Sequence, residues 1–271
     1  MEIENRKAAP IGVFDSGIGG LTVTREIMRQ LPDENIVYFG DTARVPYGSK
    51  SKENIIRFSR QIVRFLKTCH VKAIVVACNT ASALALDTLR QETDIPVMGV
   101  VEPRAAVRET RNGKIGVIGT EATIRSEMYT QVIRRMLPDA EVIGNPCPLF
   151  VPLVEEGFAK HKIAEEVIDI YLSELRKTDI DTMILGCTHY PLLRSRIMEY
   201  FGDAVHIVNP AYETAMELKA MLEEKEMAHP VGGEASYEFY VSDAAEKFTK
   251  FANSILTYDV AVTKLVNIEE Y

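Results

Sequence analysis

Short apolar runs rich in β-branched residues alternate with longer amphipathic stretches along most of this chain. The runs with the composition of buried strands are residues 11–14, 36–39, 73–77, 97–101, 115–118, 183–185 and 205–208. Apolar residues at helical spacing predict helices at 21–31, 53–67, 80–92, 124–137, 163–177, 191–201 and 211–224. Parallel strands need a long crossover, which is usually a helix, so this alternation is typical of α/β proteins. We predict an α/β fold with largely parallel sheets.

The chain also repeats itself in order. Ile-Gly-Val-Phe at 11–14 recurs as Ile-Gly-Val-Ile at 115–118, and Leu-Pro-Asp at 31–33 recurs at 137–139. The predicted strand that leads to Cys78 has a counterpart in the strand that leads to Cys187. One such match is ordinary turn chemistry. Matches that recur in the same order indicate a duplicated α/β unit.

A duplication predicts two pseudo-symmetric lobes, each a mostly parallel sheet flanked by helices. The first lobe is predicted at residues 1–100 and the second at 101–209. The tail, 210–271, is too short for a domain of its own and is predicted to complete the first lobe. Ligands of open α/β sheets bind beyond the carboxyl ends of the strands, so the active site is predicted between the lobes.

The charge of the chain argues against polyanionic partners. The formal net charge is −8 at pH 7, so neither nucleic acid nor an anionic membrane surface is predicted to bind. The first residues are polar and lack the apolar core of a signal peptide. No apolar run approaches the ~18 residues of a membrane span. A cytoplasmic location is therefore the expectation.

Two of the four cysteines stand in a setting that favours reactivity. Cys78 and Cys187 each lie at a predicted junction between a strand and a helix, where the positive end of the helix dipole favours thiolate. Asn79 and Thr80 are predicted to cap the helix after Cys78, and Pro191 suits the first turn of the helix after Cys187. The alternative for both cysteines is inert packing, which their equivalent places in the repeat disfavour.

Cys69 and Cys147 lack this setting and are interpreted as structural. The cysteines form no Cys-x-x-Cys pair, and they do not combine with the histidines into a metal-ligand spacing. No metal site is predicted.

The first strand runs into a glycine-rich turn, Asp-Ser-Gly-Ile-Gly-Gly at 15–20. Thr22 stands where a dinucleotide fingerprint needs glycine, and the Gly-Lys-Ser/Thr ending of a phosphate-binding loop is absent from the sequence. The backbone N–H groups and Ser16 suit a carboxylate, whereas Asp15 suits an ammonium group. The turn therefore fits an amino acid, with a plain helix cap as the alternative.

A second loop, at 40–48, follows the next strand and is expected at the same edge of the first lobe. Tyr47 offers a hydroxyl and Gly48 a backbone N–H that a ligand can approach closely. An ordinary turn is the alternative interpretation of this loop.

Four motifs together resemble the glutamate racemases, within the aspartate/glutamate racemase superfamily. They are Asp-Ser-Gly-Ile-Gly-Gly at 15–20, Pro-Tyr-Gly at 46–48, Cys-Asn-Thr at 78–80 and Gly-Cys-Thr-His-Tyr-Pro at 186–191. The resemblance runs from about residue 10 to about residue 220. It implies a two-lobed α/β fold, D- and L-glutamate as substrates, and no pyridoxal phosphate, metal or nucleotide cofactor. It also implies that D-glutamate is supplied to peptidoglycan synthesis.

The resemblance also implies roles for individual residues. Cys78 and Cys187 match the two acid/base catalysts on opposite faces of the substrate, with Cys78 serving D-glutamate and Cys187 L-glutamate. The residues that match the substrate-lining positions are Asp15, Ser16, Tyr47, Gly48, Asn79, Thr80, Thr188 and His189. Asp15 and His189 match assistants of the two cysteines, Glu155 lies near the second one, and Thr123 is a further candidate for the α-carboxylate.

Three other functions remain open on the sequence. The first is another racemase of the superfamily, acting on aspartate or hydantoins. The second is a non-catalytic amino-acid-binding protein in which both cysteines only pack. The third is a cysteine-nucleophile hydrolase, which leaves the second cysteine unexplained. The sequence also leaves the oligomeric state open, with a homodimer as one option.

Overall fold

Two parallel β-sheets organise this chain, and each belongs to its own compact unit. The computed structural model describes residues 7–101, 103–230, 232 and 234–271. Its strands are β1 (Ile11–Asp15), β2 (Ile36–Gly40), β3 (Ala73–Val76), β4 (Val97–Gly99), β5 (Lys114–Gly119), β6 (Glu141–Pro146), β7 (Thr182–Gly186), β8 (His206–Val208), β9 (Tyr237–Val241) and β10 (Thr263–Leu265).

The helices fill the intervals between the strands. They are α1 (Leu21–Gln30), α2 (Lys52–Thr68), α3 (Asn79–Glu92), α4 (Arg104–Glu109), α5 (Glu121–Arg125), α6 (Met128–Met136), α7 (Phe150–Glu155), α8 (Ile163–Arg176), α9 (Arg194–Phe201), α10 (Pro210–Glu224) and α11 (Ala245–Ile255). Among the described residues, no helix is both long enough and apolar enough to cross a membrane.

The first unit contains the described residues up to Val100 together with Thr214–Tyr271. Its sheet has the order β10-β9-β2-β1-β3-β4, and every pair is parallel. All residues of β1, β2 and β3 are buried, as expected for parallel strands covered on both faces. Side chains from the sheet and from α2 and α3 form one apolar cluster that includes Phe14, Ile62 and Val76. This core fixes the positions of the strand ends.

The second unit is Val101–Glu213, with a parallel sheet in the order β6-β5-β7-β8. This order matches β2-β1-β3-β4 of the first unit, strand for strand. Its core cluster includes Ile115, Val117, Ile133 and Ile184. Cys78 follows β3 and Cys187 follows β7, so the two thiols occupy equivalent positions in the two sheets.

The α/β prediction with largely parallel sheets is confirmed. The seven strands predicted from apolar runs correspond to β1–β5, β7 and β8, whereas β6, β9 and β10 are not among the predicted runs. The helix predicted at 124–137 is wrong: the chain forms α5 and α6, which are separated at Glu127 in a left-handed conformation. The sequence division between tail and second lobe falls at 209/210, whereas the units divide at 213/214, inside α10.

Candidate active site

The glycine-rich turn after β1 holds the carboxylate of Asp15 in a fully buried position. Its Oδ2 accepts a hydrogen bond of 2.9 Å from the Gly17 N–H, whereas Oδ1 is buried without a hydrogen-bond partner among the described residues. A Cβ on Gly20 would lie 2.5 Å from the Cβ of Asp15, so only glycine allows this close approach. The turn thus presents an acceptor atom that no described protein group satisfies.

Cys78, which follows the neighbouring strand β3, lies beside this turn. It is the N-cap residue of α3 and is 5% exposed, and its Sγ lies 3.6 Å from the Ser16 hydroxyl oxygen. Asn79 and Thr80 are buried in the first turn of α3. The prediction that these two residues cap the helix is therefore wrong, because the helix begins one residue earlier. As the N-cap residue, Cys78 lies at the positive end of the dipole of α3.

The 40–48 loop packs against the glycine-rich turn. A Cβ on Gly40 would lie 2.4 Å from the carbonyl oxygen of Gly17, and the Tyr38 hydroxyl donates to the same oxygen at 2.9 Å. Gly48 is partly exposed, in a 3-10 turn at Tyr47–Ser49. This contact joins the two loops of the first unit at one edge of its sheet.

The hydroxyl of Tyr47, which the sequence offered as a group for the ligand, has a hydrogen-bond partner within the protein. The residue is 1% exposed and its hydroxyl donates to Oδ2 of Asp41. Burial, and next the negative charge of Asp41, raise the pKa of Tyr47 well above its ordinary value. The Tyr47 hydroxyl therefore donates its proton to a hydrogen bond with Asp41. The groups of the loop that remain to bind a carboxylate are its backbone N–H groups. We call Asp15, Ser16, Cys78, Asn79, Thr80 and the 40–48 loop the Cys78 cluster.

In the second unit, Cys187 follows β7 and is 5% exposed. Its Sγ lies 3.8 Å from Nδ1 of His189, whose Nε2 lies 3.0 Å from Oε1 of Glu155 at the end of α7. Burial alone would lower the pKa of His189, but hydrogen bonds with Cys187 and Glu155 raise that pKa to about 10. At neutral pH the imidazole is therefore protonated and places positive charge beside the Cys187 sulfur. Cys187, Thr188, His189 and Glu155 form the Cys187 cluster, in which Thr188 is also buried.

The backbone after Cys187 is not an α-helix. A 3-10 segment, Tyr190–Leu193, comes first, with Pro191 in its opening turn, and α9 begins only at Arg194. The Tyr190 hydroxyl donates to the Cys147 carbonyl at 2.8 Å and anchors this segment. The prediction that Cys187 stands at an α-helix N-terminus is wrong. The imidazolium supplies the positive charge that α3 supplies at Cys78.

The other two cysteines stay neutral thiols at pH 7. Burial raises the pKa of Cys147 to about 12, and Asn145 donates to its sulfur at 3.4 Å. Burial also raises the pKa of Cys69. Thr123 is buried after β5, with its hydroxyl oxygen 3.0 Å from that of Thr120.

Two residues that matter to the 40–48 loop, Asp41 and Arg44, were not singled out in the sequence. The signal in the sequence was an acidic and a basic residue three positions apart in one loop, a spacing at which the two form an ion pair here. Within the described parts of the chain, no group of three or more His, Cys, Asp and Glu side chains is arranged to hold a metal ion.

The chain matches known proteins over nearly all of its length. The profile of the Asp/Glu/Hydantoin racemase family matches residues 11–218. Glutamate racemase of Geobacter metallireducens is 49% identical over 248 residues, which cover 91% of this chain and 92% of that protein.

Two solved structures share the fold. Glutamate racemase isoform RacE1 from Bacillus anthracis aligns with a TM-score of 0.92 and 42% identity, over 96% of this chain and 98% of that one. Glutamate racemase from Francisella tularensis, solved in complex with D-glutamate, aligns with a TM-score of 0.90 and 40% identity, over 98% of this chain and 100% of that one. The resemblance carried by the four sequence motifs is confirmed. The chain therefore belongs to the Asp/Glu/Hydantoin racemase family and, within it, to the glutamate racemases.

Proposed function

We propose that this chain, an isomerase by its family, interconverts L- and D-glutamate by moving the Cα proton between Cys78 and Cys187. One observation carries the proposal: the two thiols follow equivalent strands, β3 and β7, in sheets of the same strand order. Each is nearly buried and has a polar partner, Ser16 or His189. Packing alone gives no reason for a matched pair of this kind.

The chemistry requires two groups. Racemisation removes a weakly acidic Cα proton from one face and returns a proton to the other, and one base cannot reach both faces. In the proposed cycle one cysteine enters as thiolate and takes the proton, while the other enters as thiol and gives one. The reverse reaction exchanges their roles. Positive charge near each sulfur favours the thiolate form that the base needs.

The remaining groups of the two clusters bind the substrate in this proposal. The unpartnered Oδ1 of Asp15 supports its assignment to the substrate ammonium group or to the assistance of Cys78. Donors from Thr80 and Thr188 stabilise the negative charge that grows on the α-carboxylate during proton removal. Ser16 and the backbone of Tyr47 and Gly48 hold the side-chain carboxylate. Asn79 lines the substrate, and the His189–Glu155 pair steadies charge on Cys187.

The substrate and the physiological role rest on the family. The Francisella tularensis relative was solved with D-glutamate, which supports glutamate rather than aspartate or a hydantoin. We propose that the reaction runs in the cytoplasm, without pyridoxal phosphate or metal, and that it supplies D-glutamate for peptidoglycan.

The deciding experiment follows the purified protein, dialysed against EDTA and hydroxylamine, by circular dichroism with L-glutamate or L-aspartate. We expect loss of signal with L-glutamate and little change with L-aspartate. In D₂O, proton NMR of early samples should find deuterium in newly formed D-glutamate and none in recovered L-glutamate. Rescue only by added pyridoxal phosphate or a metal would refute cofactor independence. Binding of glutamate without racemisation would favour the binding-protein alternative.

A further inference from the structure

The 40–48 loop is fastened by residues far away in the chain. Asp41, which is fully buried, accepts hydrogen bonds from Arg44 Nε at 2.7 Å, from the Ser242 hydroxyl at 2.9 Å and from the Tyr47 hydroxyl. Its own N–H donates to the Asp15 carbonyl at 3.0 Å. One residue thereby connects three places: its backbone N–H reaches the glycine-rich turn, and its carboxylate reaches the Tyr47 side chain and Ser242, which follows β9.

Arg44 extends this network toward the C-terminal segment. Its Nη1 donates to Gln61 at 2.5 Å and to the Glu269 carboxylate at 3.2 Å. Gln61 Nε2 donates to the other oxygen of Glu269 at 3.1 Å, which closes a three-membered ring of contacts. The guanidinium carbon lies 4.2 Å from the centre of the Phe58 ring, which itself packs 5.6 Å from the Tyr47 ring. Arg44 is thus held on one side by α2 and on the other by Glu269.

The side chains of Asp41 and Arg44 form no part of the substrate-binding groups assigned above. Asp41 accepts a hydrogen bond from the hydroxyl of Tyr47, and Gly48 follows Tyr47 in the same 3-10 turn. Arginine suits this task because its planar fork bonds two acceptors in fixed directions, which lysine does not match.

We propose that Arg44 is a positioning residue for the substrate-binding part of the 40–48 loop, and that Glu269 from the C-terminal segment holds Arg44 in place. The proposal rests on the proposed function, in which the backbone at Tyr47 and Gly48 binds the substrate carboxylate. A displaced loop weakens substrate binding, while the thiols at Cys78 and Cys187 keep their own surroundings. The expected signature is therefore a change in KM rather than in kcat.

The test compares four variants in steady-state kinetics with both enantiomers. Arg44→Ala should raise KM about 10-fold or more with kcat within about 3-fold of wild type. Arg44→Lys keeps the ion pair with Asp41 but not the reach to Gln61, so its KM should rise less. Glu269→Gln should raise KM about 2-fold, since Glu269 is exposed and its ion pair is screened. Glu270→Gln is the matched control, one residue away and bonded only to Asn267 in the described contacts, and it should match wild type.

Arg44→Ala leaves a buried carboxylate without its cation, so Arg44→Lys and Glu269→Gln decide the outcome should that variant fail to fold. The proposal is overturned when both match Glu270→Gln in KM, or when they lower kcat with KM unchanged.

Amide hydrogen exchange of the 41–50 peptide provides a readout that needs no activity. The Lys50 amide donates to the Tyr47 carbonyl at 3.0 Å and reports loop order. Exchange of this peptide should be faster in Arg44→Lys and Glu269→Gln than in Glu270→Gln. A wild-type protein without activity on glutamate would refute the proposed function, and the exchange rates would still decide whether Arg44 and Glu269 hold the loop.

Discussion

Equivalent cysteines stand in different electrostatic surroundings in the two clusters. Cys78 caps a 14-residue α-helix and contacts a neutral hydroxyl of Ser16. Cys187 precedes a 3-10 turn and contacts His189, which is paired with Glu155. A helix N-terminus supplies a partial positive charge of about half a unit, whereas an imidazolium supplies a full one. The position of the thiol is the same in the two sheets, whereas the source of positive charge beside it differs.

A racemase does not need equal acidity in its two acid/base groups. Enantiomers have equal free energy in water, so kcat/KM must be the same in both directions whatever the acidity of each sulfur. In the proposed mechanism the clusters are therefore free to differ as long as one holds thiolate while the other holds thiol. Asymmetry between them appears in kcat and KM taken separately, and in proton exchange of each enantiomer.

Removal of one thiol at a time should have the largest effect on the rate of racemisation. Cys78→Ala and Cys187→Ala should each lower racemisation by more than about 10³-fold in both directions, because in the proposed mechanism each direction needs both sulfurs. Circular dichroism with each enantiomer measures the loss. Cys69→Ala, which removes a half-buried thiol outside both clusters, should keep wild-type rates.

Each single variant should keep a half-reaction on its intact side. The family resemblance assigns D-glutamate to Cys78 and L-glutamate to Cys187, so Cys78→Ala should exchange the Cα proton of L-glutamate with D₂O without producing D-glutamate. Full racemase activity in either variant would show that the two thiols are not the two bases.

Removing the imidazole of His189 tests whether the different surroundings of Cys187 and Cys78 contribute differently to kcat. His189→Gln should lower kcat about 10²-fold, because Cys187 loses a neighbouring positive charge in a low-dielectric site. The matched change in the Cys78 cluster, Ser16→Ala, should change kcat less than about 5-fold and act mainly on KM. Steady-state kinetics with both enantiomers separates these effects. Equal losses of kcat in the two variants would show that Ser16 and His189 contribute equally to stabilising the transition state.

The pH dependence of stability isolates the charge of His189. Its pKa is raised in the folded protein to about 10 from an ordinary value of 6.5, so its contribution is fully present below pH 6.5 and is lost as pH rises toward 10. The free energy of unfolding of wild type relative to His189→Gln should therefore fall by at least about 1.4 kcal/mol, the equivalent of one pKa unit, between pH 6.5 and pH 10. Urea titrations at several pH values measure it. A pH-independent difference would show that the imidazole is neutral in the folded state.

Much of the Cys78 cluster was predictable because its parts are local in sequence. The glycine-rich turn begins at the end of β1, and Cys78 lies two residues after β3, so neighbouring parallel strands bring them to one edge. Glu155, the partner of His189, was harder to predict from the sequence. Glu155 lies on a separate helix, α7, and only the family resemblance pointed to it.

Other features left no readable signal. β6 contains Gly144, Asn145 and Pro146 and is largely exposed, so it lacks the apolar run of a buried strand. The break between α5 and α6 carries no glycine or proline, because Glu127 itself adopts the left-handed conformation. The hydroxyl of Tyr47 donates to Asp41, which also bonds Arg44, and neither contact was predicted from the sequence.

The pairing of β9 with β2 bears on how the protein is made. β2 is complete at Gly40, but its outer partner is not synthesised until Val241. A nascent chain therefore carries an uncovered edge of the first sheet through most of translation, a known risk for aberrant pairing between chains. The second unit is contiguous from Val101 to Glu213 and has all its strands available earlier. Synthesis of the second unit starts after that of the first, but the second unit is the first to have its whole chain available for folding.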